Sequence, residues 1–145
     1  MSAGTETTAT ELSGLTFMLL KNQDKLKRLT DEIRSSFSSI EGMTMTSLSR
    51  LEYLGACIEE GLRLYPPVPV GLARTVPQGG ASVCGRWVSG GAPMYSIQRS
   101  SVYFKDPDSF KPERFLAEGQ EIYGSDRRDA MNPFSVGPRN CIGKK

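Results

Sequence analysis

The sequence predicts a mainly α-helical protein with a small antiparallel β-sheet, and three features of the chain support this prediction. Apolar residues recur at helical spacing in the first half, for example at Leu26, Leu29 and Ile33. Prolines at positions 66 and 67 end the helical half, and short runs of strand composition follow them. From Ser101 onward, prolines and glycines interrupt the chain and periodicity is lost. So long a tail is expected to be either disordered or organised around something else.

Three helices are predicted before the two prolines. The first covers Thr8 to Leu20, and the second follows Asn22, whose side chain can cap it. The third is expected to begin at a capping box formed by Ser49 and Glu52. Its predicted apolar stripe consists of Leu48, Leu51, Leu54, Ile58, Leu62 and Tyr65. This face of the third helix is therefore expected to pack against the core.

The predicted sheet is drawn from three runs, at residues 68–76, 81–88 and 92–100. Residues 77–80, with the sequence PQGG, have turn composition and are expected to join the first two runs. Cys84 and Trp87, in the second run, are expected to be packing residues, as is Cys57 in the third helix.

Composition and charge exclude several classes of protein. The 145 residues suffice for one domain, and 18 basic against 16 acidic residues leave a net charge of +2, which gives no reason to expect a nucleic-acid partner. The three cysteines form no CxxC pair and histidine is absent, so a reducing compartment is expected and a zinc site is not. No apolar run approaches the ~20 residues that span a bilayer, and the first residues lack the features of a signal peptide. The chain is therefore expected to carry no membrane anchor of its own.

One stretch around the start of the second helix is basic, with Lys21, Lys25, Lys27 and Arg28 in close succession and Asp24 among them. Charges spaced in this way are typical of a solvated helix face. A surface that docks a partner is the alternative.

The strongest chemical signal lies near the C-terminus, where residues 134–143 read FSVGPRNCIG. A thiolate needs a positive or donor-rich environment, and Arg139 stands two positions before Cys141. Gly137 and Gly143 flank the cysteine, so that backbone can approach a flat ligand and amides can point at the sulfur. On spacing alone, a glycine-rich loop with an incidental cysteine is the alternative.

Two further motifs carry charge. Glu60 and Arg63 are spaced to meet on one helix face, and in isolation such a pair is most often an exposed ion pair. Residues 112–115 read PERF, which means little alone. At the N-terminus, residues 3–8 read AGTETT and place an acid, Glu6, beside an alcohol, Thr7. A flexible threonine-rich terminus is the alternative for this segment.

Taken together and in this order, the four segments resemble the cytochrome P450 family. Residues 134–143 match its cysteine-loop pattern FxxGxRxCxG at every defined position, and the others resemble its ExxR, PERF and distal helix I motifs. The resemblance extends from Ala3 to Lys144. It implies the C-terminal part of the cytochrome P450 fold, truncated at both ends. Residues 1–145 would form a partial haem domain that runs from the end of helix I to the cysteine loop and lacks helix L.

The resemblance implies a haem b cofactor with Cys141 as the axial ligand of its iron. In the same way, Arg139 would pair with a haem propionate and Phe134 would pack beside the thiolate. Arg74 matches a position that contacts a propionate in many members, although an ordinary strand arginine is the alternative. Gln98 stands where relatives often carry histidine, which puts any contact of that histidine in doubt.

Five other residues receive roles from the resemblance. Glu60, Arg63 and Arg114 would form a buried network that locks the cysteine loop onto the core, a structural role. Glu6 and Thr7 would be catalytic residues that relay protons to bound dioxygen.

The implied activity is that of an oxidoreductase, a haem-thiolate monooxygenase that hydroxylates a small apolar substrate with dioxygen. Electrons would come from NADPH through NADPH–cytochrome P450 reductase. The sequences of residues 84–88 and 104–115 resemble those of fungal microsomal members that act in secondary metabolism. This likeness implies that the full-length parent lies on the cytosolic face of the endoplasmic reticulum membrane.

Two alternatives from other classes stay open. The first is a non-catalytic truncated remnant that binds haem weakly or only associates with other proteins through exposed apolar faces. A small electron-transfer haem protein would need a second axial ligand, for which a chain without histidine offers methionine or lysine.

Overall fold

Residues 3–70, 81–83, 86–88, 94–137 and 140–144 are described by a computed structural model, and the mainly helical fold class is confirmed. The α-helices are α1 (Ala3–Lys21), α2 (Gln23–Ser36), α3 (Met45–Leu48), α4 (Glu52–Leu64), α5 (Met94–Gln98) and α6 (Gln120–Tyr123). Single turns of 3₁₀-helix lie at Ile40–Gly42, Pro112–Phe115, Ala117–Gly119, Arg128–Ala130 and Ile142–Lys144. No helix within the described ranges is both long enough and apolar enough to cross a membrane.

Asn22 separates the first two helices. Its backbone N–H donates to the carbonyls of Met18 and Leu19, at 3.1 Å each, and its own carbonyl accepts from Lys25 and Leu26. The side chain does not cap α2, because its amide nitrogen donates 2.8 Å back to the Met18 carbonyl. The predicted helix is therefore present, but the predicted side-chain cap is wrong.

The capping box expected at Ser49 and Glu52 is also wrong. A capping box exists one helix earlier, where the Thr44 and Ser47 side chains each accept from the other's backbone N–H at the start of α3. Leu51, which cannot cap with its side chain, occupies the N-cap of α4. Ser49 cannot cap α4 because it ends α3 as its C-cap, where its hydroxyl donates 3.0 Å to the Thr46 carbonyl.

A carboxylate from α2 caps α4 instead. Glu32 accepts hydrogen bonds from the backbone N–H groups of Tyr53 and Leu54, both at 2.9 Å. These are two of the amides that a helix N-terminus leaves unpaired, and a negative charge there also complements the helix dipole. The cap therefore fixes the start of α4 relative to α2.

The buried face of α4 differs from the predicted apolar stripe. Leu48 and Leu51 precede the helix, and Ile58 and Tyr65 are 40% and 46% exposed. The buried residues of α4 are Tyr53, Ala56, Cys57, Glu60, Gly61, Leu62, Arg63 and Leu64. This face is buried because α1 and the Pro112–Phe115 turn both pack on α4. Cys57 is a packing residue, as predicted, and burial raises the pKa of its thiol to about 12.

Two apolar clusters lie on either side of α4. The first joins α1, α2 and α4 through Leu15, Leu19, Leu29, Tyr53, Cys57, Leu64 and Phe110. The second consists of Leu62, Phe104 and Met131, with Tyr103, Phe115 and Phe134 packed against it. The second cluster therefore connects α4 with the chain that leads into the cysteine loop.

Strands β1 (Ala81–Val83) and β2 (Arg86–Val88) pair antiparallel, with Ala81 opposite Val88. Residues 81–88 thus contain two strands rather than the one predicted run. Residues 94–98, predicted as part of a strand, form α5, and short apolar runs of this kind fit either structure until tertiary contacts decide. Residues 71–80, with the predicted turn, and the side chains of Cys84 and Trp87 lie outside the described residues.

Two of the four residues of the basic stretch, Lys25 and Arg28, pair with acids that are distant in sequence. The Lys25 ammonium lies 2.6 Å from the Glu113 carboxylate, and Arg28 pairs with Glu118. Lys27 is mostly exposed and pairs with Asp31 one turn away. The prediction of a solvated face therefore holds for Lys27, whereas Lys25 and Arg28 clamp α2 onto the Pro112–Gly119 region.

Replacement of Glu32 tests the cap between α2 and α4. We expect Glu32→Ala to lower the free energy of unfolding by about 1–2 kcal/mol, because two partly buried amides lose their acceptor. The neighbouring Asp31→Ala is the matched control and should cost no more than about 0.5 kcal/mol, since within the described part of the chain Asp31 makes only an exposed ion pair. Urea unfolding followed by circular dichroism measures both, and equal losses would contradict the cap.

Candidate functional site

The Arg63 side chain is fully buried, and each of its five N–H groups has an acceptor. Nε and Nη2 donate to the two carboxylate oxygens of Glu60, at 2.7 and 2.8 Å. Nη1 donates to the backbone carbonyls of Gln98 and Pro107, both at 2.7 Å, and Nη2 also donates to Ser109 O at 3.1 Å. The guanidinium thereby joins α4, the end of α5 and the turn that follows residue 105.

Glu60 holds the other side of this centre. Its Oε1 accepts 2.9 Å from the backbone N–H of Lys111, immediately before the Pro112–Phe115 turn. Its Oε2 lies 3.4 Å from Nε of Arg114, which has no hydrogen-bond partner among the described residues. The structure therefore brings Glu60, Arg63 and Arg114 together in a fully buried set, rather than leaving the first two as an exposed ion pair.

A fourth charge, which the sequence interpretation missed, completes the set. Nη1 of Arg114 donates to Oδ2 of Asp126, and the Asp126 side chain is only 1% exposed. The two carboxylates of Glu60 and Asp126 thus balance the two guanidiniums. Counting the charges of the predicted network could have indicated this residue. Two buried arginines with one glutamate leave an uncompensated positive charge, so a second buried acid is needed.

The turn at residues 105–109 supplies backbone acceptors to both guanidiniums. Asp106 has φ 48°, a left-handed conformation that aspartate adopts more readily than most residues. Ser109 N donates to the Asp106 carbonyl, which also lies 3.5 Å from Nη2 of Arg114. This tight turn is what lets the carbonyls of residues 106, 107 and 109 face the two arginines.

Aromatic rings connect the charged set to the second apolar cluster. The Phe104 ring lies 5.3 Å from the guanidinium of Arg63 and 5.8 Å from that of Arg114, and the Tyr123 ring lies 4.6 Å from the latter. Contacts of this kind are favourable when the cation is desolvated. Phe134, at the start of the cysteine loop, packs against the same cluster.

The cysteine loop is closed by a backbone hydrogen bond of 2.8 Å from Cys141 N to the Phe134 carbonyl. Gly137 has φ 82°, a left-handed backbone conformation in which a residue with a Cβ is strained, so its position in the loop favours glycine. A Cβ at Gly143 would lie 3.7 Å from the Cys141 sulfur. The loop thus presents the free thiol of Cys141 at its surface.

The other predicted site residues are placed as follows. Glu6 and Thr7 lie in the first turns of α1, Glu6 exposed and Thr7 partly buried. Arg74 and Arg139 lie outside the described residues. The Gln98 side chain is fully buried, and neither of its amide atoms has a hydrogen-bond partner among the residues that the structure describes, while its backbone carbonyl accepts from Arg63. The roles predicted for Glu6, Thr7, Arg74 and Arg139 stay predictions.

A buried carboxyl between α1 and α4 was not predicted. A Cβ at Gly61 would lie 2.5 Å from Oε1 of Glu11, so that a larger residue at position 61 would displace the end of this side chain. Both Glu11 oxygens are buried without a hydrogen-bond partner in the described part of the chain. Burial raises the pKa of Glu11 from 4.5 to about 7.

Comparison with known proteins decides which family this geometry belongs to. The family model for Cytochrome P450 matches residues 1–145. The chain belongs to the cytochrome P450 family. It is 54% identical over 148 residues to cytochrome P450 monooxygenase FUM2 of Gibberella moniliformis, covering 99% of the chain and 31% of that relative.

Other fungal cytochromes P450 give the same result. Identity is 48% over 146 residues with cytochrome P450 monooxygenase tpeC of Talaromyces stipitatus, covering 98% of the chain and 28% of the relative. It is 50% over 147 residues with averantin hydroxylase of Aspergillus parasiticus, covering 99% and 29%. The chain thus spans less than one third of the length of these relatives, and its family is one of oxidoreductases.

The cytochrome P450 family implies haem, and the residues of the loop fit such a group. A thiolate is a haem ligand in this family, and the Cys141 thiol is exposed rather than packed in the core. Val136 and Ile142, on either side of it, are 62% and 94% exposed and offer apolar contacts. Apart from its chain neighbours, no described residue lies within 4 Å of the point where a Cβ on Gly137 would stand, which leaves room there for a flat ligand.

Removal of Glu60 tests the buried charge set. We expect Glu60→Ala to lower the free energy of unfolding by about 3–5 kcal/mol. Both guanidiniums would stay buried, and only the Asp126 carboxylate would remain to compensate their charge. The adjacent, exposed Glu59 is the matched control, and Glu59→Ala should cost less than about 1 kcal/mol. Chemical unfolding of the two variants gives the comparison, and similar losses would refute the set as a stabilising unit.

The raised pKa of Glu11 predicts a pH dependence. The folded state holds this proton up to about pH 7, whereas the unfolded chain releases it near pH 4.5, so stability falls as the pH rises through that window. We expect Glu11 to account for a loss of about 1 kcal/mol, less than the full shift implies because the side chain is partly exposed. Glu11→Gln should flatten the dependence between pH 4.5 and 7 relative to wild type. A change of the exposed Glu52 to Gln should leave it in place, and an unaltered slope in Glu11→Gln would contradict the prediction.

Proposed function

We propose that the protein carrying this chain is a haem-thiolate monooxygenase that hydroxylates a small apolar organic substrate with dioxygen. The single observation that carries the proposal is the exposed Cys141 thiol on a glycine-containing loop that is closed at Phe134. Membership of the cytochrome P450 family supports it. The finer fold that we propose is the C-terminal part of the cytochrome P450 fold with a small antiparallel sheet, from the end of helix I to the cysteine loop.

In this proposal Cys141 binds the iron of haem b through its thiolate. When bound, the group supplies dioxygen activation, which the electron-donating thiolate favours. The chain's part is to hold the thiolate: the bond from Cys141 N to Phe134 O fixes the loop, and the Phe134 ring packs against the core beside it. Arg139 and Arg74 would pair with the haem propionates.

Glu6 and Thr7 are the proposed proton-handling residues. An acid and an alcohol in adjacent positions can pass a proton through a hydroxyl and ordered water. The buried set of Glu60, Arg63 and Arg114 has a different role, because it lies in the interior and is engaged in ion pairs and backbone contacts. We assign it to anchoring the cysteine loop rather than to the reaction.

The proposed electron source is NADPH, through NADPH–cytochrome P450 reductase. The fungal relatives support a place in secondary metabolism, since averantin hydroxylase by its name acts on averantin. The corresponding location of the whole protein is the cytosolic face of the endoplasmic reticulum membrane.

One observation favours the alternative of a non-catalytic association module. Large apolar side chains of α1 are exposed, with Leu12, Phe17 and Leu20 at 59%, 56% and 59%. An apolar face of this kind associates readily with other surfaces. The alternative predicts self-association without specific haem binding.

The test is a carbon monoxide difference spectrum of the reduced protein with haem supplied, compared between wild type and Cys141→Ala. We expect a thiolate-type Soret band in wild type and its loss in the variant. Cys57→Ala is the matched control, because its thiol is buried in the core and should not contribute to the band.

Two outcomes would contradict the proposal. A wild-type spectrum without the thiolate band, or a band that persists in Cys141→Ala, would mean that Cys141 does not bind the iron. Concentration-dependent association without a thiolate band would favour the association module.

A further inference from the structure

Asp126 belongs to no motif of the sequence, yet its carboxylate occupies a central position in the buried charge set. Oδ2 accepts from Arg114, and Oδ1 accepts 2.8 Å from the backbone N–H of Lys105. One side chain therefore links the arginine of the Pro112–Phe115 turn to the left-handed turn at residues 105–109.

The charge of Asp126 is needed as well as its oxygens. Arg63 and Arg114 are both fully buried, and Glu60 neutralises only one of them. A buried guanidinium without a counter-charge is strongly unfavourable, because arginine cannot lose its proton in a protein. Asp126 supplies the second negative charge, so the set of four is neutral.

From Asp126 the chain leads directly to the cysteine loop, and on the way it contacts the second apolar cluster. Arg127 N donates 2.8 Å to the Tyr103 carbonyl. Met131 is buried against Phe104 and Leu62. Phe134 packs on this cluster and accepts the hydrogen bond from Cys141 N. The Asp126 carboxylate therefore anchors the start of the segment that runs from residue 126 to the Cys141 thiol.

We infer that Asp126 is a positioning residue for Cys141. It neutralises Arg114 and ties residue 105 to residue 126, and this sets where residues 127–134 lie and hence how the loop presents its sulfur. The inference rests on the proposed function for its link to haem, whereas its link to the conformation of the loop does not. Loss of the charge should loosen the loop beyond what general destabilisation produces.

The first readout needs no haem. Hydrogen exchange at the Cys141 amide, measured by NMR, reports the bond to Phe134. We expect Asp126→Asn to increase exchange there about tenfold, whereas amides of the cluster around Leu29 change only with global stability. Leu29→Ala is the matched control: it lowers stability through the first cluster, away from the loop, and should not raise exchange at Cys141 selectively.

A double variant keeps the test decisive if Asp126→Asn unfolds. Asp126→Asn with Arg114→Met leaves the neutral pair of Glu60 and Arg63, so this variant should be more stable than Asp126→Asn alone. A double variant less stable than the single one would overturn the charge argument. Equal exchange at Cys141 in wild type and in every folded Asp126 variant would overturn the positioning role.

The second readout is spectroscopic and separates this inference from the proposed function. In haem-loaded protein, Asp126→Asn should convert about half or more of the thiolate-type Soret band to a non-thiolate form, a shift that Leu29→Ala at matched stability should not produce. A wild-type protein without the thiolate band would refute the proposed function. Hydrogen exchange at the Cys141 amide would still test whether Asp126 positions the loop. A normal thiolate band in Asp126→Asn would defeat the positioning role alone.

Discussion

The guanidinium of Arg63 is the constraint on which the rest of this structure depends. It cannot be deprotonated, so burial requires an acceptor for each of its five N–H groups. The chain meets this requirement with Glu60 on the same helix and with carbonyls of residues 98, 107 and 109. These acceptors come from separate elements, so the position of one side chain determines where α5 and the following turn meet α4. Arg114 and Asp126 extend the same requirement toward the cysteine loop.

Sequence reasoning found the parts of this site that have short, regular spacing. Composition predicted most of α1 and helical periodicity predicted α2 and most of α4, while the resemblance to the cytochrome P450 family implied that Glu60, Arg63 and Arg114 form one set. The resemblance to the ExxR motif also changed the expectation for α4. The apolar stripe taken alone would have placed Glu60 and Arg63 on the exposed face of the helix. Their burial follows from what α1 and the Pro112–Phe115 turn cover, which a helix by itself does not reveal.

The missed features depend on residues that are distant in sequence. Glu32 caps a helix that begins 20 positions later, at Glu52, and Asp126 pairs with an arginine from another turn. Local rules favoured Ser49 as a cap and a strand at residues 94–98, and tertiary contacts decided otherwise. Charge balance is the exception, because counting buried charges predicts that another acid is needed even when it cannot say which one.

The tetrapeptide Pro112–Phe115 has two ionic sides with different exposure to solvent. Glu113 meets Lys25 of α2 where both side chains are partly exposed, whereas Arg114 meets its carboxylates in the interior. Dissolved ions screen charges over about 10 Å at 0.1 M salt, but only where water reaches them. Raising the ionic strength therefore weakens the attachment of α2 and leaves the inner pairs nearly unaffected. Adjacent residues of one turn thus make two kinds of contact: the ion pair of Glu113 at the surface is sensitive to salt, and the ion pairs of Arg114 in the interior are not.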